Sequence, residues 1–338
     1  MGRRRKADIG LRRNSLVLIT FFLLLGFILG INPTLVTAQE NTFPDRAITV
    51  VSPLGAGGGT TIELRNLAPF VQKYIGQPMV VDVKPGGGTT IGVTFVARSK
   101  PDGYTILCSP LPTCMFSQEL LNSKSQLENF EYIYAWFEGP MDLTVKADSP
   151  YKTFSDLLEA SKIKPLKAAI AGIGQQSQLM TTLLEKYTGM KFVLVPYSGG
   201  GPAATALVRG DVDVYAGLST TSVRFVRDGK SRQIVVLGPK PLEALPDTPT
   251  IYDLGHKDFP NVPFVRGVSA PPGTPADRIK ILAEAFKKAV DDPGFRELME
   301  KQGRPVVPMS REAWGKFAKE AFQLAKDYVP MMKKAMEK

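Results

Sequence analysis

Residues 50–65 read VVSPLGAGGGTTIELR. An apolar strand, Ala47–Ser52, runs into a turn carrying Gly55, Gly57, Gly58 and Gly59, and an amphipathic helix leaves it. A turn of this kind presents bare backbone N–H groups at a helix N-terminus, where the helix dipole also favours negative charge. It is a seat for a carboxylate or phosphate. The plainer reading is that glycine, which tolerates positive φ, only allows the chain to turn sharply. Against that, the chain offers similar turns at 85–90, 172–177 and 198–202.

Outward from this turn the chain alternates. Ile62–Ile75 carries Leu64, Leu67, Val71 and Tyr74 at three- and four-residue spacing, which predicts a helix, and Gly76 ends it. Met79–Val83 reads as a strand, Thr90–Ser99 as a helix after the second glycine turn, and Thr105–Cys108 as a short strand. Tyr132–Val145 is apolar and extended. The pattern then restarts with a helix over Phe154–Ser161 capped by Thr153, and a strand over Ala168–Ala171. A helix over Gln178–Tyr187 closed by Gly189, a strand over Phe192–Pro196 and a helix over Ala203–Val208 follow. Asp213–Gly217 and Ile234–Leu237 are further strands, and Leu242–Pro263 is proline-rich and irregular. The tail is helical, opening with Thr274 as N-cap, Pro275 in the first position and Asp277 in the first turn. Its apolar stripes, such as Ile279, Leu282 and Phe286, are read as core. Such alternation predicts an α/β protein with parallel-rich sheets covered by helices. Two lobes are expected, the first from 39–141 and 239–338, the second from 142–238. Lobes that the chain crosses between more than once are expected to leave a cleft for a ligand.

The first residues belong to neither lobe. Arg3, Arg4, Arg5, Lys6, Arg12 and Arg13 precede an apolar run, Leu16–Ile31, and small residues at Val36-Thr37-Ala38 follow. That is a cleavable signal peptide cut after Ala38, and the run is shorter than the roughly 20 residues of a membrane span. The chain carries a net charge of +10 from 42 Lys+Arg and 32 Asp+Glu. Without the six bases and one acid of the leader, 36 basic and 31 acidic residues remain. That modest excess, with no basic stripe interleaved with aromatics, points away from nucleic acid. Export places Cys108 and Cys114 in an oxidising compartment, where their spacing permits a small disulfide without demanding it.

Catalytic patterns are missing. Gly59 is followed by Thr60-Thr61-Ile62, without the lysine of a nucleotide-phosphate loop. The dinucleotide fingerprint fails at Thr60, and no G-x-S-x-G occurs. His256, the one histidine, sits in a polar loop, and with two close cysteines it makes a poor metal set. No enzyme activity, metal or cofactor is expected.

The ordered motifs resemble a known family. They are Ala56-Gly57-Gly58 before a helix with Arg65, Lys84-Pro85-Gly86-Gly87-Gly88 with Ile91-Gly92, and Lys100-Pro101-Asp102-Gly103-Tyr104-Thr105. Val195-Pro196-Tyr197-Ser198-Gly199-Gly200-Gly201-Pro202-Ala203, Leu245-Pro246-Asp247-Thr248-Pro249-Thr250 and Ala270-Pro271-Pro272-Gly273-Thr274-Pro275 follow. Six such matches in order, from Phe43 to beyond Trp314, resemble the Bug-family substrate-binding proteins of tripartite tricarboxylate transporters. The resemblance implies a type II periplasmic binding fold that captures a small organic carboxylate and delivers it to membrane permease subunits. It implies a periplasmic protein, with a monomer as the default. A periplasmic adaptor for a membrane sensor kinase, and a secreted enzyme, are the alternative readings.

The resemblance also implies a ligand set. Ala56, Gly57, Gly58 and Thr60 would hold one carboxylate from the first lobe, and Tyr197, Ser198, Gly199 and Gly201 from the second. Gly86, Gly87, Thr89 and Ser109, with Gly174, Gln175, Gln176 and Ser177, would line the same cleft. Many relatives carry an Asp where Thr61 stands here, so a carboxylate without an ammonium group is expected. Gln175 and Gln176 would offer amide hydrogen bonds to the far end of the ligand. Arg266, where relatives often have an aromatic residue, either pairs a second carboxylate or is a hinge-surface charge. Phe137 and Glu138 lie where the chain crosses and would line the cleft as well.

Overall fold

The structure, a computed structural model, describes residues 43–337. The signal peptide read over Met1–Ala38, with its cut, lies outside them. β1 (Ile48–Ser52) enters the first glycine turn and α1 (Gly59–Ile75) leaves it, three residues earlier than the apolar periodicity begins. β2 (Met79–Val83), α2 (Thr90–Ala97), β3 (Thr105–Leu111), α3 (Thr113–Leu120) and β4 (Glu131–Gly139) follow. The middle of the chain gives β5 (Met141–Lys146), α4 (Phe154–Ile163), β6 (Leu166–Ile170), α5 (Gln176–Thr188) and β7 (Phe192–Pro196). It continues with α6 (Gly200–Arg209), β8 (Val214–Leu218), α7 (Ser219–Arg227) and β9 (Ser231–Leu237). After a long return, β10 (Phe264–Ala270), α8 (Ala276–Asp291), α9 (Pro293–Lys301) and α10 (Arg311–Met336) complete it.

The strands form two five-stranded sheets, ordered β2-β1-β3-β10-β4 and β7-β6-β8-β5-β9. The two orders are equivalent strand for strand. In each, four strands are parallel and the fourth in order is antiparallel to both neighbours: β10 between β3 and β4, β5 between β8 and β9. That strand is the one each lobe receives as the chain arrives from the other. The apolar stretch Tyr132–Val145 is therefore not one strand. It breaks at Pro140, and Met141 already pairs with Leu218 and Leu237 of the second sheet.

Helices cover both sheets. Leu64, Leu67 and Val71 of α1 are fully buried, each contributing about 2 kcal/mol of hydrophobic stabilisation. Thr153 caps α4 in a reciprocal capping box with Asp156, as its spacing predicts. Thr274 does not cap α8. Its hydroxyl donates to the Pro271 carbonyl at 2.8 Å, and the helix starts one residue beyond Pro275. The long α10 packs on β4 and α3 of the first lobe and on α5 of the second. Cys108 and Cys114 are both free and buried, so the disulfide their spacing allows is not formed.

A carboxylate-sized cavity at five helix starts

A cavity of about 60 Å³ lies between the two sheets. Five helices begin on its wall: α1 at Gly59-Thr60, α3 at Thr113, α5 at Gln176-Ser177, α6 at Gly200 and α7, through Thr221. None of the five has a side-chain cap; of the helices that start elsewhere, α4, α9 and α10 are capped by Thr153, Asp292 and Ser310, and α2 and α8 are uncapped. Each uncapped start leaves first-turn N–H groups without a side-chain acceptor and carries about half a positive charge. Converging on one cavity, they favour an anion without a full counter-charge.

Among the described residues one charged side chain lines the cavity, that of Arg266 on β10, and it is 1% exposed. Its Nε donates to Thr60 Oγ1 at 2.9 Å, its Nη1 pairs with the Glu63 carboxylate, and its guanidinium lies 4.1 Å from the Phe137 ring centre and 5.1 Å from that of Phe264. Burial pulls the guanidinium below its ordinary pKa, and Glu63 opposes that pull. Glu63, fully buried one turn along α1 from Thr60, also receives Arg304 Nη1. Gly59 makes this convergence possible. A Cβ there would stand 3.3 Å from Arg304 Nη1, 3.5 Å from Arg266 Nη2 and 3.6 Å from Thr221 Oγ1.

The mouth of the cavity is closed by backbone. A Cβ on Gly201 would come within 2.6 Å of the Gly57 carbonyl oxygen, and one on Gly55 within 3.1 Å of the Ser198 carbonyl oxygen. Ser117 Oγ stands 3.0 Å from the Gly174 carbonyl and 3.1 Å from that of Gly88, and donates across the lobes. Gln176 Nε2 donates to the Val262 carbonyl at 2.6 Å, which leaves its buried Oε1 without a protein partner.

The residues that the sequence singles out divide accordingly. Gly58, Thr60, Gln175, Gln176, Ser177, Gly199 and Arg266 line the cavity. Ala56, Gly57 and Ser198 are exposed at the rim, with Gly201 buried against Gly57 and the Gly174 carbonyl on Ser117. Gly86 and Gly87 are exposed in the second glycine turn, away from the cavity. Thr89 is buried with φ +147° beside the Cys114 thiol, whose pKa burial pushes up to about 12. Thr61 is turned to the sheet: its Oγ1 shares a 2.7 Å hydrogen bond with Ser52 Oγ and donates to the Leu54 carbonyl at 3.1 Å. Ser109 is likewise committed, to Ser269 Oγ at 2.6 Å. Tyr197 packs on the second-lobe core around Ala203 and Leu207. Phe137 lies under Arg266 rather than on the wall, and Glu138 is half-buried on β4. The wall also holds Thr113, Tyr215 and Thr221, which the sequence does not mark. Glu63 and Arg304 stand behind it. The one signal for Glu63 is an acid three residues after Thr60, on the inward face of the helix.

Behind Tyr215, Asp142 on β5 is fully buried opposite Gly217. Its Oδ2 accepts from Ser222 Oγ and Gln233 Nε2, both at 2.5 Å, and no ion pair among the described residues reaches it. Burial raises its pKa from the ordinary 3.8 to about 6, against the pull of the hydrogen bonds from Ser222 and Gln233 and of the nearby Thr144 and Ser219 hydroxyls. A raised carboxyl pKa means that the folded state holds the proton more tightly than the unfolded chain. The contribution of Asp142 to stability is therefore full below pH 3.8 and is lost as pH rises towards 6, by about 3 kcal/mol in all. Asp142→Asn keeps an acceptor for Ser222 and Gln233 and turns a donor towards Thr144 and Ser219. It is expected to remove that fall and to leave the protein about 1–3 kcal/mol more stable at pH 7. Denaturant midpoints at pH 4 and pH 7 test this; a variant less stable at pH 7 contradicts it.

Residues 64–333 match the model of the tripartite tricarboxylate transporter family receptor. The chain belongs to that family. A Cupriavidus necator relative described as a UPF0065 protein in the gbd 5′ region is 31% identical over 300 residues, covering 88% of this receptor and 91% of that protein. Protein BugT of Bordetella pertussis is 29% identical over 289 residues, covering 83% and 88%. Among solved structures, the periplasmic binding protein BugD is 31% identical with a TM-score of 0.79, covering 87% of this receptor and 98% of that chain. MatC from Rhodopseudomonas palustris with bound malate is 29% identical with a TM-score of 0.78, covering 85% and 100%. The receptor thus has the two-lobed fold of periplasmic binding proteins and a solute-binding role, and its relatives are solute-binding proteins rather than enzymes.

Proposed function

We propose that this receptor is exported to the periplasm by its leader, captures a small organic carboxylate in the cavity between its sheets, and hands it to the membrane subunits of a tripartite tricarboxylate transporter. The observation that carries the reading is the convergence of five uncapped helix starts on a wall whose only charged side chain, among the described residues, is Arg266. Malate in MatC supports the ligand class. No acidic side chain lines the cavity among the described residues, so nothing there pairs a ligand ammonium. The amine-free expectation rests on that wall, since Thr61 faces away from it. Because the rims touch, a ligand enters by parting them, and closure then buries it.

Thermal shifts of residues 39–338 with malate, succinate, citrate, benzoate and amino acids test the reading. A ligand that binds only the folded state adds about 2.7 kcal/mol at a hundredfold excess over its Kd. At least one amine-free carboxylate is expected to raise the melting temperature clearly. A shift with amino acids alone defeats the amine-free reading, and no shift with any carboxylate defeats the receptor reading itself.

A further inference from the structure

The wall of the cavity is not electrically even. Around α5, α6 and α7 the described residues offer it only neutral groups: helix N–H donors, amides and hydroxyls. Around α1 it carries charge. Arg266 and Arg304 share the single carboxylate of Glu63, so this cluster holds one positive charge in excess, with side chains 1%, 10% and 0% exposed. An uncompensated charge taken out of water is costly, and an arriving anion relieves that cost.

The hydrogen-bond geometry shows where such an anion would sit. The face of the Arg266 guanidinium is packed by Phe137 and Phe264, so only its edge is available. On that edge Nη1 is ion-paired with Glu63 and Nε donates to Thr60, while Nη2 makes no hydrogen bond among the described residues and lies 3.5 Å from where a Cβ on Gly59 would stand. Thr60 Oγ1 accepts from Nε, so its own proton is left to donate, and Thr60 lines the cavity. Arg266 Nη2–H and Thr60 Oγ–H thus stand together at the uncapped start of α1. They make a paired, charged donor set suited to the two oxygens of one carboxylate.

We propose that Arg266 is the specificity-determining residue of this receptor: with Thr60 it seats a second acidic group of the ligand, so that the cavity selects a dianion over the monoanion of the same chain length. Glu63 and Arg304 are positioning residues, which hold the guanidinium edge towards the cavity. The assignment rests on the carboxylate-receptor reading above.

Calorimetric titration of the mature protein with matched pairs tests it: succinate against butyrate, and adipate against hexanoate. Each pair differs only in one carboxylate. The wild type is expected to bind at least one diacid roughly tenfold to a hundredfold more tightly than its monoacid, the range for a hydrogen bond to a charged group. Arg266→Gln leaves Glu63 paired with Arg304, so no buried carboxylate is abandoned. That variant is expected to bring the diacid-to-monoacid ratio close to one, the loss falling on the diacid. Arg266→Lys, which keeps the charge but not the planar edge, is expected to fall between. Equal weakening of both acids in Arg266→Gln would mean a structural role and overturns the assignment, as does a wild type that binds both acids equally. If none of these four acids binds although another carboxylate shifts the melting temperature, the assignment fails and the receptor reading stands; if no carboxylate acts in either experiment, both fail.

Discussion

Glu63→Ala is expected to destabilise the protein by about 3–5 kcal/mol, the range for removing one partner of a buried ion pair. Against a total of about 5–15 kcal/mol for a folded domain, that is a large share, and at the lower end of the range it is enough to leave part of the protein unfolded. The reason lies in what is abandoned. Arg266 is 1% exposed and Arg304 10% exposed, and both direct a guanidinium at the one carboxylate. Alanine would leave two like charges facing each other beneath the start of α1, where the helix dipole adds to their repulsion. Glu63→Gln keeps the size and one acceptor oxygen, so it is expected to cost less. Urea unfolding of the wild type and both variants, followed by circular dichroism, reads the difference. A loss below about 1 kcal/mol for the alanine variant would show that the cluster is open to water and would contradict the burial argument.

Gly201→Ala acts on a different quantity. Gly201 lies in the first turn of α6 with ordinary helical backbone, and alanine is the better helix former by about 1 kcal/mol. The second lobe alone should be no weaker for the change. Its new methyl group, however, would stand 2.6 Å from the Gly57 carbonyl oxygen of the opposite lobe. That contact exists only when the rims meet. The variant is expected to melt at or above the wild-type temperature without ligand, yet to bind carboxylate roughly tenfold to a hundredfold more weakly, the cost of overpacking a tight contact. Titration and melting on the same preparation check this. A fall in melting temperature at unchanged affinity would place the clash within folding rather than within closure.

Much of the fold is legible in the sequence because local signals and tertiary demands agree. Gly76 and Gly189 stop helices, Thr153 starts one, and apolar runs of five residues between glycine turns become parallel strands. What escapes is burial on all sides. In α3, seven of eight residues are buried, Ser117 and Gln118 among them, so no apolar stripe marks the helix. In β10, Arg266, Gly267 and Ser269 interrupt the apolar pattern, yet lying between β3 and β4 buries all seven residues. The site divides on similar lines. Glycine turns announce helix starts, but whether a given hydroxyl faces cavity or sheet depends on the neighbouring strand, and Thr61 turned to Ser52 while Thr60 turned to Arg266. Glu63 reads as one polar position of an amphipathic helix because its second partner is 241 residues away.

The place of β10 in its sheet also governs the order in which the molecule can be assembled. The second sheet draws all five strands from the continuous stretch 141–237 and can close on its own residues. In the first sheet β3 and β4 do not pair with each other, and β10 alone joins them, with Gly267 opposite Ser109 and Ala135. Contacts of such long sequence separation form late, since the intervening loop must be ordered first. The strand that completes this sheet is the one that carries Arg266. A chain that has not finished folding therefore has its glycine turns but not its charge, and it gains its full hold on a ligand only with the last strand.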